Sequence, residues 1–153
     1  MSKLTQYGHA FQIKALAILI TDRDFLQQIA DIVSPDYFDN DAGKWIMRKT
    51  LKYFNEYKSV PTMEVFKVEV EGINQELQSV AVKDLLKQAY KASKSLDLEY
   101  VKDTFLDFCK NQTLKSALMK SVDLLELGDY DDIRNLIDRA LKAGTERDIG
   151  HEY

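Results

Sequence analysis

The residues that could do chemistry are few and scattered. His9 and His151 stand near opposite ends of the chain, and Cys109 is the only cysteine. A zinc centre needs about four ligands of such types brought together, so none is expected. A lone thiol cannot close an internal disulfide, which suits a reducing compartment such as a cytoplasm. The only Gly-Lys pair is Gly43-Lys44, and a phosphate-binding loop would need glycine at 38 and Ser or Thr at 45, where Phe38 and Trp45 stand. Asp39, Asn40 and Asp41 begin like a calcium loop, but no glutamate follows at the right offset, and a helix cap fits better. Glu64 with Glu69 and Asp103 with Asp107 are acid pairs on expected helices, without a nucleophile, base or metal partner beside them. No catalytic, cofactor-binding or metal-ligating residue is therefore assigned, and no cofactor is expected in this chain.

What remains is surface. Lys44, Arg48 and Lys52 repeat at i, i+4 and i+8, with Trp45 and Lys49 beside them. An indole next to a basic stripe can anchor a protein partner or stack a base. The same residues also fit a solvated face whose Trp45 folds back onto the core. If the stripe is a partner surface, protein suits it better than DNA. The chain carries 21 basic against 25 acidic residues, a net charge of -4, and offers nucleic acid no global attraction. Weak DNA binding or none is expected. The longest apolar run, Ala15 to Ile20, falls far short of the roughly 20 residues that cross a bilayer, so no membrane contact is expected either.

The elements that must position these residues are helical. With 45% hydrophobic and 30% charged residues in 153, and 6 Gly and 2 Pro, the chain reads as an all-α protein with one compact head and an appendage. The head is expected over 1–95 in about five helices. The first runs from Thr5 to Ile20 and is apolar nearly all round, as a central helix is. Asp22 caps the second, which carries Phe25, Leu26, Ile29 and Ile32, and Ser34-Pro35-Asp36 ends it. The third spans Ala42 to Tyr57 with Ile46, Met47, Tyr53, Phe54 and Tyr57 on one side. Thr62 caps a short helix over Met63 to Glu71, closed by Gly72. The fifth, Asn74 to Ser93, should bury Leu77, Val80, Ala81, Leu85, Leu86 and Ala89.

The segment 96–144 differs. No helix breaker occurs between Asp97 and Leu127, which predicts one helix of about 45 Å at 1.5 Å per residue. Its apolar stripe changes direction. Leu98, Val101, Phe105, Phe108 and Cys109 fall on one side, while Leu114, Leu118, Val122 and Leu125 fall about 180° away at 100° per residue. Gly128-Asp129 then turns the chain into a last helix with the stripe Ile133, Leu136, Ile137 and Leu141. Such an antiparallel hairpin cannot cover its own apolar surface and calls for a second copy. Those eight residues are the expected oligomer interface. Residues 145–153 are expected to begin a linker or tail.

The order of these features resembles a known family. An apolar Ala15-Leu16-Ala17-Ile18-Leu19-Ile20 helix, then Phe25-Leu26 and Ile29, then Ser34-Pro35-Asp36-Tyr37-Phe38, looks like the N-terminal domain of DnaB-family replicative helicases. Asn55-Glu56-Tyr57-Lys58-Ser59-Val60-Pro61-Thr62 and the closing Ile149-Gly150-His151-Glu152-Tyr153 are especially similar to the helicase of T4-type bacteriophages. The long helix with its short-looped partner resembles the family's dimerising hairpin. The family's ATP-dependent motor has no counterpart here, so this chain is expected to lack catalysis of its own. The resemblance implies a collar domain: a homodimer, three such pairs over a hexameric ring, recruitment of primase, and residence in a bacterial or phage-infected cytoplasm. A small helical helicase loader, or an adaptor that docks on such a collar, is the alternative.

Overall fold

The computed structural model describes residues 4–144. The expected linker at 145–153, with His151, lies outside the described residues. Among the described residues the chain is all-α, with helices α1 (His9–Thr21), α2 (Arg23–Ile29), α3 (Asp41–Tyr57), α4 (Met63–Glu71), α5 (Glu76–Ala92), α6 (Leu98–Leu127) and α7 (Tyr130–Lys142), and no strand. The chain divides into two compact units. The first holds the chain up to Gln27 and Ser34–Lys102, and the second holds Gln28–Val33 and the chain from Asp103 on.

In the first unit α1 is central and packs against α5 and α3. All six residues from Ala15 to Ile20 are buried, as an all-round apolar helix requires. The helix starts later than its apolar pattern suggests. Leu4–Tyr7 forms a 3₁₀ turn, and Gly8 then adopts φ 90°, which only a residue without Cβ takes readily. Gln12 is the buried polar residue of α1. It donates from Nε2 to Asp39 Oδ2 at 2.7 Å and accepts from the Asp39 backbone N–H at 3.1 Å. Asp39 is thus a structural acceptor, and its neighbour Asn40 caps α3 by accepting from the Gly43 N–H at 2.7 Å.

Two other caps form where a short oxygen-bearing side chain precedes an apolar run. Asp22 accepts from the Phe25 N–H at 3.0 Å, and Thr62 accepts from the Val65 N–H at 3.3 Å. Asp22 also meets Lys102 of α6 at 2.7 Å. The buried stripe of α5 differs from the expected one. Val82, Leu85, Leu86 and Ala89 are buried, whereas Leu77 is 88% exposed and Val80 is also exposed. A stripe centred on Val82 and Ala89 puts Leu77 and Val80 on the opposite side of the helix.

Helix α6 is uninterrupted, and Phe105, Phe108 and Cys109, on the part of it that belongs to the second unit, are buried. At its far end Gly128 takes φ 76°, and the N–H groups of Gly128 and Asp129 donate to the Leu125 and Leu124 carbonyls at 3.1 and 3.0 Å. Asp129 stands at the N-cap position of α7, where the sequence places a capping aspartate, but it makes no side-chain cap bond. Asp131 and Asp132 instead supply negative charge at the positive end of α7, and Arg139 and Lys142 supply positive charge at its last turn. The chain returns antiparallel. Gly144, just past α7, sits so close to Leu106 and Lys110 that an added Cβ would meet their side chains at 3.5 and 3.4 Å, and Ile32 at 2.8 Å. Gln28 Nε2 donates to the Gly144 carbonyl at 3.2 Å, which ties the 28–33 stretch to this unit.

The division between the two units falls within α6, between Lys102 and Asp103. Lys102 belongs to the first unit through its pair with Asp22.

Candidate functional site

The eight residues expected at an oligomer interface lie on α6 and α7 of the second unit. The buried residues of the hairpin's outer part are small, Ala117 on α6 and Ala140 on α7. Its large apolar residues stay outside. Leu118, Val122, Leu125 and Leu141 are 53%, 58%, 59% and 58% exposed, while Leu114, Ile133, Leu136 and Ile137 are half-buried. Met119, Leu127 and Tyr130 are exposed too, which sequence reasoning did not assign. Leu136 differs from the rest. It lines a broad open depression with Leu124, and Asp31, Asp132, Arg139 and Lys142 border the same space, so its surroundings are charged.

The basic stripe of α3 is only partly what its spacing suggests. Arg48 and Lys52 are exposed and Lys44 is half-buried, and none of them forms an ion pair among the described residues. Trp45 is buried, with 7% of its surface exposed, so no protruding indole accompanies the stripe. Its ring borders a depression of about 500 Å³ with Val68, Ile73 and Gln78. Lys49 Nζ stands 5.5 Å from the indole centroid and 3.0 Å from Glu69 Oε1, so this cation is already engaged. The i, i+4 repeat located the charges correctly. The burial of Trp45 agrees with the reading in which this first-turn aromatic folds back onto the core.

A second depression of about 500 Å³ was not foreseen. It lies between α4 and α5, with Phe66, Val70 and Leu86 as its floor. Met63 and Tyr90 line it, and Lys67, Lys83, Lys87 and Glu71 border it. The signal was present in the sequence as two lysines at i, i+4 beside an apolar stripe at Leu86 and Tyr90.

The acid pairs stay apart from any reactive group. Glu69 pairs with Lys49, and Glu64 reaches Lys67 at 3.9 Å. Asp103 and Asp107 are exposed on α6. Cys109 is buried, and burial pushes its thiol well above the usual range, which leaves it an unreactive thiol. Among the described residues no group of three or more His, Cys, Asp or Glu is arranged to hold a metal ion, and no helix is long and apolar enough to cross a membrane. In comparisons with known proteins, no family model, curated sequence or solved structure matches this chain.

Proposed function

We propose that this protein is the collar domain of a hexameric replicative DNA helicase. It pairs with a second copy through its C-terminal hairpin, three pairs assemble over the motor ring, and the collar recruits primase. One observation carries the proposal: Leu118, Val122, Leu125 and Leu141, placed outward by periodicity alone, are exposed on an antiparallel hairpin. Burying each such leucine is worth roughly 1.5–3 kcal/mol, and several together offset the cost of association. A two-fold dimer uses the same patch on both chains and closes the assembly at two hairpins, a four-helix packing. The resemblance in sequence order to the DnaB family supplies the helicase and primase parts of the proposal.

The test is sedimentation of the full chain, alone and with the primase and the hexameric helicase of its own replication system. A dimer that binds primase supports the collar. A monomer that binds the finished helicase ring instead assigns the chain to the loaders.

A further inference from the structure

The α4–α5 groove lies on the first unit and is not used by the collar proposal. Its walls are two helices whose lining residues repeat at helical spacing: Met63, Phe66 and Val70 on α4, then Leu86 and Tyr90 on α5. Phe66 and Val70 are packed into the protein, whereas Met63 at the lip is 48% exposed. From Met63 to Val70 the groove runs about 10 Å at 1.5 Å per residue, or roughly two helical turns. That length accepts the apolar side chains of a helix at i and i+3 or i+4, but not a long peptide.

Charge sets the kind of partner. Lys67, Lys83 and Lys87 border the groove against a single acid, Glu71. Lys83 and Lys87 are exposed, sit at i, i+4 on α5 where like charges repel, and form no ion pair among the described residues. Lys67 has only the loose 3.9 Å contact with Glu64. In a chain of net charge -4, this is a local positive rim around an apolar floor. Tyr90 is half-buried, and burial raises its pKa, so its phenol remains a neutral hydroxyl able to donate to a carboxylate.

We propose that the groove between α4 and α5 docks a short acidic amphipathic helix from a protein partner. Two apolar side chains enter over Phe66 and Leu86, and flanking Asp or Glu residues meet Lys67, Lys83 and Lys87. This is helix-in-groove recognition, with apolar burial giving affinity and the lysine rim selecting acidic sequences.

A library of random 12-residue peptides, selected on the full chain, is the probe. Recovered peptides, made with a fluorescent label and titrated by anisotropy, are expected to carry two apolar residues at i and i+3 or i+4 flanked by acids. K83E with K87E should weaken them roughly tenfold or more through reversal of two charges. Met63→Glu should weaken them similarly from the other wall, and it serves if the double variant folds poorly. Neither change should alter the sedimentation of the chain, which separates this site from the hairpin. Recovery of no peptide, a basic consensus, or binding undiminished in both variants overturns the proposal. So does a preference for phosphatidylserine vesicles or single-stranded DNA over the peptides.

Discussion

Helices α1 and α7 have the same length, 13 residues each, and opposite fates. α1 has a single Lys among its residues and buries a continuous run from Ala15 to Ile20. α7 carries Asp131, Asp132, Arg134, Asp138, Arg139 and Lys142, and buries only Ala140 fully. Both satisfy their backbone as helices, so the difference lies in where the apolar side chains go. Those of α1 are consumed within the chain. Those of α7, and of the second half of α6, are left with water on one side. A helix of the first kind holds a fold together, and a helix of the second kind leaves apolar surface that a second copy could cover.

Breaking α1 should therefore cost the chain its own stability. Leu19 is fully buried, and Leu19→Ala is expected to lower unfolding free energy by roughly 2–5 kcal/mol, read by urea denaturation. Leu141→Ala in α7 should cost the unassembled chain no more than about 0.5 kcal/mol, because its side chain is already mostly in water. Equal losses at the two positions would erase the contrast.

Breaking the hairpin should cost assembly alone. Leu118→Asp with Leu125→Asp places two charges on exposed positions of α6. Helical content by circular dichroism should be retained while the dimer becomes a monomer, because an unpaired charge in an apolar seam costs several kcal/mol once desolvated. A double variant that still sediments as a dimer puts the contact elsewhere and leaves the exposed leucines unexplained. Leu118 and Leu125 suit this test better than Leu136, whose surroundings include the charged border of a depression.

Much of this contrast was legible before any coordinates. The unbroken stretch to Leu127, the Gly128 turn and the outward Leu118, Val122 and Leu125 follow from periodicity, which fixes the face of a helix once its start is known. The caps at Asp22, Asn40 and Thr62 were legible for a local reason, since each oxygen stands just before its apolar run. What failed depended on neighbours distant in the chain. Gly8 breaks the first helix although the apolar pattern runs through it. The register of α5 turned on which of two overlapping stripes met α1 and α3. The α4–α5 groove needs two helices side by side, so Lys83 and Lys87 beside Leu86 and Tyr90 on α5 did not reveal it by themselves.

A smaller effect sharpens the account of the first unit. Asp22 is partly buried, which alone would raise its pKa, but the Lys102 ammonium and the Phe25 and Asp24 N–H groups outweigh burial and hold it below the usual value. A carboxylate with a depressed folded pKa gives stability that is present above its unfolded value of about 3.9 and lost as pH falls through the folded one. Asp22→Asn keeps a capping oxygen and loses the ion pair. It should cost about 1 kcal/mol or less at neutral pH, the pair being partly solvent-screened, and should flatten the acid limb of stability below about pH 4. An unchanged acid limb would assign that limb to other carboxylates.

The smallest expected effect concerns DNA. With Trp45 buried, α3 has no exposed indole on which a base could stack, and such stacking is worth roughly 1–3 kcal/mol per base. What remains is the attraction of Lys44, Arg48 and Lys52 for phosphate, within a chain of net charge -4. Three neutralised phosphates give a slope of log affinity against log salt of about -2 for single strands. Raising salt fourfold should then weaken binding roughly twentyfold. Anisotropy of a labelled oligothymidine should show weak binding at low salt that disappears near physiological salt, and Trp45 fluorescence should not be quenched by stacking. Reversing Arg48 and Lys52 to Glu should remove the residue of binding without shifting the urea midpoint, since both side chains are exposed. Tight binding that resists salt and quenches Trp45 would show that the indole leaves its buried position to reach the strand. The first unit would then be a DNA-binding surface in its own right, as the loader alternative expects.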